Sequence, residues 1–195
     1  MHLRLSSTLF AAVAALTICT AAVAAEKHEA PVKALVESKI RALVQVPEVV
    51  SAIKAQNEKH AKLDQAEVDR LDKEWRAEVK AKGGPLSTGV LGNATSAFLK
   101  KLKADSKGLF TEIFLMDDKG LNVGQSDMTS DYWQGDEAKW QKTFAVGPTA
   151  VFVDKVEQDE STQTLQTQVS LAIVDPDTKK VIGAATFGLN VEALE

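Results

Sequence analysis

Cysteine is all but absent from this chain of 195 residues: Cys19 is the sole one, and Thr17 and Ile18 precede it in place of the small residues a lipoprotein site prefers. Histidine is scarce as well, with His2, His28 and His60. Without cysteine beyond residue 19 there is no disulfide framework and no haem-attachment motif. Neither His28, close to the start, nor His60, in a charged helical segment, completes a Ser/His/Asp arrangement or a metal-ligand pair, and no Gly-rich phosphate loop is visible. Nothing singles out a pair of carboxylates for glycoside hydrolysis. An enzyme is therefore not expected, nor a cofactor. Basic patches are lacking too: a formal net charge of -4 and a pI near 5.5 leave no stripe for nucleic acid.

Long apolar runs are confined to the first 25 residues. There Arg4 precedes an apolar stretch from Leu9 to Ile18, and Ala22-Val23-Ala24 offers the small-x-small pattern of a signal-peptidase site. The stretch is short against the ~20 apolar residues of a membrane span, which argues against the alternative of an uncleaved anchor. The expectation is a signal peptide over residues 1–25, export to a bacterial periplasm, and one mature domain over 26–195. About 170 residues bury an adequate core without disulfide staples.

Within that domain, residues 26–109 read as helical and 110–195 as sheet. Val32, Leu35, Val36, Ile40, Leu43 and Val44 share one helical face. Pro47 breaks and restarts the helix ahead of Val49, Val50 and Ile53. Asp64 with Glu67 opens another helix carrying Val68, Leu71, Trp75 and Val79, which Gly83-Gly84-Pro85 ends. A further helix covers about Asn93 to Asp105. The period then changes to that of strands: Thr111 to Met116, a turn at Asp118-Lys119-Gly120, and a second strand from Leu121. A short helix is expected from about Asp136, as its cap, to Phe144. Strands follow near 150–157, 165–174 and 181–189, separated by Asp159-Glu160-Ser161 and Asp175-Pro176-Asp177. The sum is an α+β fold: long N-terminal helices packed on a five-stranded antiparallel sheet.

The segment Glu112 to Gly120, the loop and short helix from Ser126 to Glu137, and the closing pair Gln168 to Asp175 and Val181-Ile182-Gly183-Ala184 together resemble Cache domains, the PAS-like sensors of bacterial periplasms. The likeness runs from about Val32 to Glu195 and lies in the order of apolar strands and turns. It implies a PAS-like sheet, a long helix on one side, and a small-molecule pocket beneath the loop and short helix. Most such domains form part of membrane receptors. With no output module after Glu195, the expectation is a free-standing sensor that reports through a separate membrane partner. The family's amino-acid binders use an Arg-x-Trp element; Lys139-Trp140 stands near its place with a different residue and spacing.

Candidate ligand-binding residues are Tyr132, Trp133, Lys139, Trp140 and Asp175. Rings wall small pockets, the Tyr132 hydroxyl adds a polar handle, Lys139 suits a carboxylate, and Asp175 suits an ammonium or hydroxyl. Gly183, Ala184, Ala185 and Gly188 leave room for either a ligand or a close helix. Asp127, Asp131, Asp136 and Glu137 offer calcium-type oxygens, but their spacing is not that of an EF-hand, and no metal is assigned. The alternative to a ligand-binding sensor is an interaction protein, binding a receptor or forming a homodimer through its long N-terminal helices.

Overall fold

Val32, Val36, Ile40 and Val44 recur at intervals of four, and all four are fully buried. On an ideal α-helix each step of four overshoots a full turn by about 40°, so such a series drifts off one face. In a computed structural model, which describes residues 28–158 and 164–194, a π-turn over Val36–Ile40 removes the conflict. Its wider i→i+5 winding takes back the drift. The helix containing it, α1, spans 28–44 in its described part. The expected signal peptide, 1–25, and the Asp159-Glu160-Ser161 turn lie outside the described residues.

The remaining helices follow their local signals. Helix α2 (Pro47–His60) starts on Pro47 after an extended Val46. Helix α3 (Gln65–Lys80) is capped by Asp64, whose side chain accepts from the Glu67 N–H at 2.9 Å. Helix α5 (Ala94–Asp105) is capped in the same way by Asn93. Between them lies α4 (Pro85–Leu91), which the sequence reading did not anticipate. Its cap comes from elsewhere: the Glu78 carboxylate on α3 accepts from the N–H groups of Leu86 and Ser87 at 3.0 and 2.6 Å.

Strands β1 (Phe110–Met116), β2 (Asn122–Gln125), β3 (Val151–Val153), β4 (Glu157–Gln158), β5 (Leu165–Val174) and β6 (Val181–Asn190) form one antiparallel sheet in the order β2-β1-β6-β5-β3, with β4 also on β5. The single strand expected near 150–157 is thus two. Val153 pairs with Val169 and Glu157 with Gln166, so four steps on one side match three on the other, and the resulting bulge splits the strand. The short helix, α6 (Ala138–Gln141), is likewise briefer than expected, because the Thr143 hydroxyl bonds back to the Lys139 carbonyl at 2.5 Å. Its N-cap is Glu137, without a side-chain cap, and not Asp136.

One face of the sheet carries Ile113, Leu115, Val169, Leu171, Ile173, Ala185 and Phe187 against the apolar stripes of α1, α2 and α5. Helix α2 comes closest at Gly183, where a β-carbon would fall 2.3 Å from the Met116 carbonyl oxygen and 3.0 Å from Ile53. Gly183 and Ala185 therefore serve helix packing, whereas Ala184 and Gly188 face the other way.

Polar residues of α2 tie the helix to the end of this sheet. Asn57 donates to the Ile182 carbonyl and accepts from the Asp118 N–H. Asp117, wholly buried, receives Gln56 at 3.0 Å and His60 Nδ1 at 2.8 Å on one oxygen, and the N–H groups of Lys119 and Leu121, both at 2.9 Å, on the other. Removing the acceptor strands His60 and the N–H groups of Lys119 and Leu121, while Gln56 keeps the Leu121 and Asn122 carbonyls; an unmet buried donor costs about 1–3 kcal/mol. Asp117→Ala is expected to cost about 3 kcal/mol or more in urea unfolding; a loss under about 1 kcal/mol would show that these donors find other partners.

Candidate functional site

Side chains paired across an antiparallel sheet share a face, so the register defines the outer surface row by row. At the end near Asp117 lie Met116, Ala184 and Ala172; next come Phe114, Thr186 and Ser170; then Glu112, Gly188 and Gln168. The rows run from apolar to polar. Thr186 and Ser170 are fully buried and bond each other at 2.9 Å. Gly188 has a specific purpose: a β-carbon there would fall 2.7 Å from Glu112 Cγ and 2.3 Å from Thr111 Oγ1. Without one, Glu112 crosses β6 and accepts from Gln168 Nε2 on β5 at 2.7 Å.

The segment from Asp131 to Gly147, with α6 at its centre, roofs this face. Helix α3 holds its start: Asp72 Oδ1 accepts from the N–H groups of Tyr132 and Trp133 at 2.9 and 3.1 Å, and Arg76 bridges Asp72 and Asp131. Trp140 and Phe144 stack at 4.8 Å and cover Phe114, Met116 and Ala184. The Trp140 indole donates to the Asp117 carbonyl at 3.2 Å. At the polar end Lys139 meets Glu137 at 2.7 Å and Gln134 at 3.3 Å, with its ammonium 5.6 Å from the centre of the Phe114 ring. There a cavity of about 250 Å³ opens, lined by Glu137, Lys139, Asp154, Lys155, Glu157, Gln166, Thr167 and Gln168. A hollow of about 430 Å³ on the far side of α2 is a shallow groove along exposed Ser51, Ala55 and Glu58, remote from the sheet's outer face.

Of the residues singled out in the sequence, Lys139 and Trp140 come together in the roof. Tyr132 and Trp133 turn toward α3 and the β1–β2 turn. Tyr132 is buried, its ring stacked on Trp75 at 5.3 Å, and desolvation pushes its phenol well above the usual value. Trp133 donates to the Lys119 carbonyl at 2.8 Å and lines a separate hollow with Leu63, Val68 and Trp140. Asp175 is not brought to this group. It sits in the β5–β6 turn, where the Asp177 N–H and then Lys54, at 3.1 Å, hold its carboxyl below the ordinary range. The acidic cluster is dispersed as well: Asp127 pairs with Lys103, Asp131 with Arg76 and Glu137 with Lys139. No group of three or more His, Cys, Asp or Glu suited to a metal occurs among the described residues.

Glu112 and Gln168 were not picked out as site residues. The signal was there: Glu112 is the one acid in the otherwise β-forming run of Phe110–Met116. Burial raises its carboxyl above the usual value, while Gln168 and then Lys139 pull the other way.

No protein-family model matches the chain, and no curated protein does. Solved structures similar to it include sensor and ligand-binding domains of a histidine kinase and of chemoreceptors. The sensor domain of the Vibrio cholerae histidine kinase DctB is 8% identical with a TM-score of 0.45, covering 92% of this chain and 58% of that one. The ligand-binding domain of the Campylobacter jejuni chemoreceptor Tlp3, in complex with 4-methylisoleucine, is 15% identical with a TM-score of 0.39, covering 93% and 63%. That of the Pseudomonas aeruginosa amino acid chemoreceptor PctC, in complex with GABA, is 15% identical with a TM-score of 0.41, covering 87% and 62%. The chain thus spans less than two thirds of each of these domains. Among the described residues no helix is long and apolar enough to cross a membrane.

The raised Glu112 carboxyl gives a signed expectation. The folded state holds this proton more tightly than the unfolded chain, so the group favours folding at acid pH and loses that contribution as pH rises through its folded value. Glu112→Gln keeps an acceptor for Gln168. It should therefore melt higher than the parent at pH 7.5, with the difference closing near pH 4. An equal difference at both pH values would assign the effect to packing.

Proposed function

We propose that this chain is a ligand-binding sensor module that holds a small polar metabolite between the outer face of the sheet and the α6 segment, and passes its bound state to a separate membrane partner. What supports this reading is the cavity at the polar end of that face. Lys139 and Gln168 line it beneath the α6 segment, the desolvated Glu112 carboxyl lies behind Gln168, and the Phe114 ring lies under the Lys139 ammonium. Lys139 and Trp140 are the sequence-derived residues assigned to the site, and Glu112 and Gln168 join them. Tyr132 and Trp133 are assigned to anchoring the roof. The work proposed is binding without catalysis. The expected signal peptide puts the module in the periplasm, where a membrane receptor is the natural recipient of its state.

A thermal-shift screen against organic acids, amino acids, amines, purines and calcium tests the reading, since a ligand that binds the folded state alone raises its melting temperature. The expected result is a saturable rise of several degrees with at least one compound, lost in Gln168→Ala and in Lys139→Ala. A rise kept by both variants would move the site elsewhere. No rise across the panel, together with co-purification of a defined membrane protein, would favour an interaction protein that binds without a ligand.

A further inference from the structure

The hollow that Trp133 and Trp140 line, of about 290 Å³, shares no lining residue with the cavity on the sheet face. The first turn of α3 gives it Val68, the chain before that helix gives it Leu63, and the roof gives it Trp133, Gly135 and Trp140. Both indoles are tied to the β1–β2 turn: Trp133 donates its N–H to the Lys119 carbonyl at 2.8 Å, and Trp140 donates to the Asp117 carbonyl at 3.2 Å. With those donors engaged, the two rings have only carbon to offer a neighbour. Gly135 preserves this seating, since a β-carbon there would collide with the indole nitrogen of Trp133 and fall 2.9 Å from the Lys119 carbonyl oxygen. Both tryptophans are nonetheless only half-buried. Apolar surface left in water is unfavourable, and a bound apolar group relieves it.

The polar side chains of the lining are occupied with the fold. Asp64 accepts from the Glu67 N–H as the cap of α3, and the Gln65 amide donates to Asp69 at 2.8 Å. Lys119 bears on the Asp118 carboxyl, which burial and then Asp117 raise and Lys119 lowers. One acid and one base leave the lining without net charge. What remains is ring and aliphatic surface, and aromatic pairs in offset or edge contact gain more than the area they cover. We propose that this hollow is a second binding site, which takes an uncharged aromatic molecule of one or two fused rings against Trp133 and Trp140. The volume accommodates it, since an apolar cavity of about 150 Å³ already takes a benzene ring.

Indole and benzyl alcohol are the probes, with cyclohexylmethanol as the saturated counterpart and benzoate and benzylammonium as the charged ones. Each is titrated into the purified, nitrogen-labelled protein by calorimetry and followed in the indole N–H resonances of its three tryptophans. Indole or benzyl alcohol is expected to bind saturably and more tightly than the other three. It should move the Trp133 and Trp140 resonances more than that of Trp75, which is fully buried with its N–H on the Thr129 carbonyl. Affinity should fall tenfold or more in Trp133→Leu and fall also in Leu63→Ser. Leu63 is only partly buried, so the second variant still reads the site if the first fails to fold. Equal binding of cyclohexylmethanol, tighter binding of a charged probe, the largest shift at Trp75, or affinity unchanged in the folded variants would overturn the assignment, as would no binding of either uncharged ring. Any of these results leaves the sheet-face reading standing, because its test rests on Gln168 and Lys139, which the hollow does not contain.

Discussion

The two sides of this molecule meet at a single buried carboxylate. Asp117 leaves the end of β1 with each oxygen accepting two hydrogen bonds, and every donor comes from a different residue. Two of them, Gln56 and His60, belong to the helical layer; the other two shape the turn into β2. Its main-chain carbonyl looks the opposite way and receives the indole of Trp140 from the roof. A polar group buried so deeply persists only because its acceptor capacity is filled. The same residue thereby fixes where α2 lies along the sheet, how β1 turns into β2, and how high the roof stands above the outer face.

The two faces spend their side chains differently. Against the helices the sheet presents branched and aromatic residues, and at Gly183 the Met116 carbonyl of β1, with Ile53 of α2, leaves no room for a side chain. On the outer face the central strands carry Ala172, Ala184, Thr186, Ser170 and Gly188, which leave a shallow floor. An apolar lid of Trp140 and Phe144 closes one end, while the other stays polar and partly open. A molecule bound there would touch β5, the chain entering β4 and the roof together, so its presence bears on how firmly α6 is held.

Legibility from sequence followed the range of the interaction. The stripe of α1, the restart at Pro47, the cap at Asp64 and the helix from about Asn93 are set by neighbours within a few positions, and they stand where the spacing placed them. So do β5 and β6, whose continuous apolar runs are long enough to declare themselves. Helix α4 escaped notice because its cap is a glutamate on another helix, and the strand near 150–157 was drawn whole because its bulge depends on β5. At the site, Lys139 and Trp140 were visible as a charged and an aromatic residue side by side. Glu112 and Gln168 were not, since they lie 56 positions apart and meet only because Gly188 lets one reach across a strand to the other. Asp175 shows the converse: an aspartate at a strand end is first a builder of turns.

The π-turn in α1 bears on motion. A regular helix can screw along its own axis by one turn and offer its support an equivalent set of contacts. Helix α1 has no such second setting, because the residues before Val36–Ile40 and those after it are out of phase with one another and only their present placement brings both halves onto the sheet. It is cut like a key for one position in its lock. A push or twist applied at the start of α1 therefore reaches the sheet as displacement of the whole layer, with no slippage along the helix to absorb it.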